Sequence, residues 1–99
     1  MGEVRRLVLD VLKPHEPTII EVAQLLSELE GVKAVNISIY EIDRRVENAK
    51  VTIEGDDISF EEVERVIQEN GGAVHSIDEV VAGETIIEDV ITPQDIRPG

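Results

Sequence analysis

The run Val35-Asn36-Ile37-Ser38-Ile39-Tyr40, followed beyond the polar stretch Asp43 to Asn48 by Lys50-Val51-Thr52-Ile53-Glu54, decides the architecture. Each segment alternates apolar and polar side chains, the period of a strand with one face turned to a core, and together they predict a β-hairpin. Upstream, Val4 to Leu12 alternates too, with Leu7, Leu9 and Val11 on one face and Arg6, Val8, Asp10 and Leu12 on the other. Lys13-Pro14-His15-Glu16-Pro17 breaks this strand, and Pro17 is expected in the first turn of a helix, where its missing N–H costs nothing. Ile19, Val22, Ala23, Leu26 and Leu29 then recur at helical spacing, and Gly31 supplies a left-handed stop. Downstream of the hairpin, Ser59 and Glu62 form a capping-box pattern. It opens a helix through Phe60, Val63, Val66 and Ile67 that Asn70-Gly71-Gly72 closes. Ala73 to Val81 reads as a last strand of divided parity: Val74 and Val80 fall with Ser76 and Asp78, Ile77 and Val81 with His75 and Glu79. A bulge reconciles the two faces.

Strand, helix, hairpin, helix, strand makes two βαβ halves, and right-handed crossovers put both helices on one face of the sheet. The fold class expected is α+β, a ferredoxin-like βαββαβ sandwich with an antiparallel sheet in the order 4-1-3-2 and one face uncovered. Residues 1–91 are expected to form a single domain, because 99 residues with 41% hydrophobic content suit one core. An additional C-terminal β segment, Glu84 to Ile91, is expected to turn at Ala82-Gly83 and lie beside the fourth strand. Residues 92–99, with Pro93 and Pro98, are expected to be a flexible tail.

Twenty-two acidic against nine basic residues give a net charge of −13, which repels phosphate backbones and anionic membranes; nucleic acid and membrane are not expected partners. There is no cysteine, hence no disulfide framework, thiolate zinc site or cysteine nucleophile. No apolar run has the length of a bilayer span and no secretory pattern opens the chain, so a cytoplasmic location is expected.

Two stretches go beyond pattern: Leu9-Asp10-Val11-Leu12-Lys13-Pro14-His15-Glu16-Pro17 and His75-Ser76-Ile77-Asp78-Glu79-Val80-Val81-Ala82-Gly83. With Asn36-Ile37 and Glu41-Ile42-Asp43, they make the chain closely resemble the archaeal family known as domain of unknown function 211, over roughly residues 4 to 95. The resemblance implies the ferredoxin-like fold, an archaeal cytosolic origin and a tendency to form rings of subunits. It carries no catalytic assignment.

Several activities of this fold can be weighed at their own residues. RNA recognition needs aromatics on the open sheet face, and Tyr40 and Phe60 are the only aromatic residues, Phe60 in a helix. Metallochaperones need paired cysteines in the first strand-helix loop and acylphosphatases an arginine there; this loop holds Lys13, Pro14, His15 and Glu16. No serine stands in a nucleophile-elbow pattern, and Ser59 is better used as a cap. Arg6 is expected to pair with Glu54 or Asp78 on neighbouring strands.

The two histidines offer the one convergence of ligands. In the antiparallel topology His75 shares an end of the sheet with Asp10, His15 and Glu16, and these four are the candidate metal ligands. Imidazole and carboxylate suit zinc or manganese, and an oxygen-only subset suits calcium or magnesium. Without a metal, Asp10 would orient His75 by a hydrogen bond and His15 would help cap the first helix. The preferred reading is a non-enzymatic, homo-oligomeric binding module, regulatory in character, that senses a small ligand or divalent cation. The alternatives are a small metal-dependent hydrolase or lyase using Asp10 and His75, and a purely structural assembly protein. The assembly expected is a closed ring, formed by joining the fourth-strand side of one subunit to the second-strand side of the next.

Overall fold

The computed structural model describes residues 2–88. The elements run β1 (Val4–Pro14), α1 (Ile19–Ser27), β2 (Val32–Ile42), β3 (Val46–Gly55), α2 (Phe60–Glu69) and β4 (Ala73–Ala82). The four strands form one antiparallel sheet in the order β2-β3-β1-β4, which is the α+β ferredoxin-like arrangement read from the sequence.

The register explains the core. Leu7 lies opposite Ile53, Leu9 opposite Val51 and Val11 opposite Ala49, so the inward parity of β1 meets that of β3. Over this layer α1 places Val22 and Leu26, and α2 places Val63, Val66 and Ile67. Leu9, Leu26, Ile53 and Val63 are completely buried, and each such side chain contributes about 1.5–3 kcal/mol by leaving water.

The ends of the elements follow local chemistry. Ser59 Oγ accepts the N–H of Glu62 at 3.3 Å, as the capping pattern requires. For α1 the cap is Thr18, whose Oγ1 accepts the N–H of Glu21 at 3.4 Å. Pro17 therefore precedes the cap instead of occupying the first turn, because a hydroxyl there satisfies a free backbone donor and a proline cannot. Gly31 has φ +85°, and a Cβ on it would meet the Asp56 carbonyl oxygen at 2.2 Å. The turn into β2 thus excludes any side chain at that position.

β4 is bulged, which resolves its divided parity. The pairing with β1 shifts between Val8↔Glu79 and Leu9↔Ile77, and again between Asp10↔Ser76 and Val11↔Val74. Asp78 and His75 are the residues passed over. Val74, Ile77 and Val80 consequently lie opposite Val11, Leu9 and Leu7 on the helix side of the sheet.

The expected fifth strand is absent from the part of it described, since Glu84 to Glu88 form no strand. Gly83, at φ +136°, turns the chain off the β4 line, and Glu88 engages Arg6 with contacts of 2.6 and 3.1 Å. That charge-assisted pairing replaces the backbone pairing expected beside β4. The rest of the segment, the domain boundary at 91 and the tail 92–99 lie outside the described residues. Among the described residues no helix is long and apolar enough to cross a membrane.

Candidate functional site

The structure gives the four expected metal ligands separate surroundings. Asp10 lies on the open face of β1 and accepts the hydroxyl proton of Tyr40. His75 is exposed in the β4 bulge, at the level of Asp10 but not hydrogen-bonded to it. Glu16 is exposed in the β1–α1 loop. His15 presents one ring nitrogen to Glu47 and the other to the carbonyl of Arg44, each at 3.0 Å, and takes no part in capping α1. Among the described residues no three or more His, Asp or Glu side chains are grouped to hold a metal ion. The bulge is the physical reason for His75, and a stronger acceptor pair is the reason for His15.

The pairing of His15 belongs to a cluster whose other members are Lys13 and Glu47. Lys13 continues the inward parity of β1 beyond Val11 and is only 4% exposed. Its ammonium donates to Glu47 Oε1 at 2.9 Å and to the Pro14 carbonyl at 2.7 Å. Glu47 stands directly opposite in the β1–β3 register and spends its second oxygen on His15. Lys13 first, then His15, holds the Glu47 carboxyl below its ordinary range, while the Glu47 hydrogen bond raises the His15 imidazole above its own. Asp43, whose carboxylate accepts the N–H groups of Val46 and Arg45 in the β2–β3 turn, is likewise held low. The cluster ties the end of β1 to that turn.

The uncovered sheet face carries a second network. Arg6 donates to Glu88 at 2.6 Å, to Glu79 at 3.1 Å and to Glu54 at 2.7 Å, and these carboxylates, Glu88 foremost, raise the guanidinium above its usual value. The pairing with Glu54 was legible; the β4 partner is Glu79 and not Asp78, because the bulge leaves Asp78 out of register, accepting from Ser76 at 2.7 Å. Further along the face, cross-strand rows run Val8–Thr52–Asn36 and Asp10–Lys50–Ser38. Between β2 and β3 they border a shallow groove of about 480 Å³ lined by Asn36, Ser38, Lys50, Thr52 and Glu54. A separate cleft of about 350 Å³, at the start of α2, is edged by Glu30, Asp57 and Glu62. Its Asp56 is neutralised by Lys33 at 2.8 Å and by Arg5, and Lys33 chiefly depresses that carboxyl.

Sheet order and helix placement define a ferredoxin-like α+β domain, a fold that can serve many unrelated roles. A sequence profile described as "Uncharacterized ArCR", domain of unknown function 211, matches residues 5–96. The chain belongs to this family. It is 56% identical over 95 residues to an uncharacterized protein, MJ0319, of the archaeon Methanocaldococcus jannaschii, covering 96% of this chain and 98% of that one.

Proposed function

We propose that the chain is a non-enzymatic binding module that works as a closed homo-oligomer, with the β4 edge of one subunit paired to the β2 edge of the next. One observation carries this reading: both edges are long, at 10 and 11 residues, and each leaves large apolar side chains exposed, Ile77 and Val80 on β4 and Tyr40 and Ile42 on β2. Ile77 and Val80 of β4 are 50% and 53% exposed although they point to the helix side. Unpaired edges of this length are templates for another strand. The order β2-β3-β1-β4 makes β4 antiparallel to β2, so adding a like-oriented copy extends the sheet in antiparallel fashion. Ile77 and Val80 would then meet the neighbour's α1, which lies over β2 and carries exposed Ile20 and Leu25. Such a contact is heterologous and closes when the rotation permits. A cytosolic setting accords with this reading, since the fold uses no disulfide.

The hydrolase or lyase alternative has less support, because Asp10 is committed to Tyr40 and neither Asp10 nor His75 lines either cleft described above. Native mass spectrometry of the full chain tests the proposal. The expected result is a single multi-subunit species that Ile77→Lys with Val80→Lys reduces to monomers of unchanged circular dichroism. A monomeric parent protein overturns it.

A further inference from the structure

We propose that the groove between β2 and β3 on the open sheet face binds the carboxylate of a small monoanionic metabolite, with Lys50 as its charge partner and Thr52 and Asn36 as its hydrogen-bond donors. The proposal deepens the binding half of the reading above and rests on it.

The argument starts from the allotment of cations. In a chain of net charge −13, the basic side chains of the described elements are almost all spoken for. Arg5 is paired with Glu3 and Asp56, Arg6 with three carboxylates, Lys13 with Glu47, Lys33 with Asp56 and Arg65 with Glu62 and Glu69. Lys50 is the exception within a strand. It sits on β3, next to the centre of the sheet, with Asp10 directly opposite in register. Opposite charges across a sheet normally pair. Here Asp10 receives the Tyr40 hydroxyl instead, and among the described residues Lys50 has no carboxylate within ion-pair distance.

The donors around it are also unspent. Ser38 Oγ donates to Asn36 Oδ1 at 3.2 Å, which leaves the Asn36 amide nitrogen as a donor. The Thr52 hydroxyl stands between Asn36 and Val8 in its row and is engaged by no other side chain among the described residues. An ammonium, an amide N–H and a hydroxyl bordering one groove are complementary to an oxyanion. The remaining charges select its valence. Glu54 lines the groove within the carboxylate-rich Arg6 network, and Asp10 stands opposite Lys50 in register, so a dianion such as phosphate meets more repulsion than a single carboxylate, which one ammonium matches. Ala34, opposite Glu54 on the open face, offers a small apolar surface at the rim to the remainder of a short organic acid.

The test titrates the full-length protein with acetate, then with inorganic phosphate, and with chloride at equal ionic strength, followed by TROSY amide spectra. Saturable shifts centred on Asn36, Ser38, Lys50 and Thr52 are expected with acetate, with phosphate binding more weakly. Lys50→Gln is expected to lower acetate affinity at least about tenfold, the scale of one charge-assisted hydrogen bond. Thr52→Val, which keeps the charge, should lower it by less. Chloride reproducing the shifts, phosphate binding as tightly as acetate, or an undiminished response in Lys50→Gln overturns the proposal. Native mass spectrometry of Lys50→Gln separates a free acid from a carboxylate of a neighbouring subunit. Unchanged stoichiometry is expected, and a lost subunit contact overturns the small-ligand assignment. Failure of the titration with the oligomer intact leaves the assembly reading standing.

Discussion

The Lys13 ammonium and the Glu47 carboxylate, 2.9 Å apart on adjacent strands, are among the described residues the one ion pair whose two side chains are both largely withdrawn from water, at 5% and 13% exposure. Removing one partner strands the other. Glu47→Ala is expected to destabilise the fold by about 2–3 kcal/mol, measured by urea unfolding, because a buried ammonium then lacks its counter-charge. Lys13→Met with Glu47→Leu should recover much of the loss. A single Glu47→Ala variant as stable as the parent would show that water reaches Lys13 freely.

His15 makes the same corner sensitive to alkali. Glu47 Oε2 and the Arg44 carbonyl are both acceptors, so both contacts are satisfied as donations only when the ring carries two N–H groups. Its raised pKa means that this stabilisation is complete below the unfolded value of about 6.5 and lost as pH rises through the folded one. Thermal unfolding between pH 6 and about pH 9 should show a decline in the parent that His15→Gln flattens. Equal slopes would remove the interpretation.

Glu47 and Asp43 act in the opposite direction. Both carboxyls are held low by donors, so their contribution is present above the ordinary carboxylate range and disappears as pH falls through the depressed values. Acid unfolding is accordingly expected to begin at this corner, with amides of Arg45 and Val46 exchanging before those of Leu9 or Ile53. Hydrogen exchange at successively lower pH measures the order.

Two packing substitutions test the fold itself. Leu9→Ala deletes a completely buried side chain of the sheet beneath the helices and is expected to cost about 2–5 kcal/mol. Gly31→Ala should also lower the melting temperature, because its φ of +85° and the nearby Asp56 carbonyl both oppose a Cβ. A neutral result at Gly31 would require the α1–β2 turn to rearrange.

The fold was legible because period-two and period-3.6 patterns specify which face of each element is apolar, and Leu7, Leu9, Val11, Val51 and Ile53 obey them without exception. Less legible were features decided by competition between partners. Asp78 loses Arg6 to Glu79 through a bulge whose position parity alone does not fix. His15 and Asp10 carried metal-ligand chemistry in the sequence, yet each finds a nearer partner in a residue 32 or 30 positions away. The Lys13–Glu47 pair did leave a signal: Lys13 shares the parity of Val11, and Glu47 that of Ala49 and Val51. A charged residue at the inward parity of two adjacent strands marks a buried pair.

Tyr40, whose hydroxyl is held by Asp10 beside Lys50, has a practical consequence. The chain has one tyrosine and no tryptophan, so its near-ultraviolet emission comes almost entirely from a single ring on the open face. A carboxylate accepting the phenolic proton quenches such emission, and any occupant of the neighbouring groove changes that contact. The protein is therefore its own fluorescent indicator, read without a label, for events on the one face that its helices leave bare.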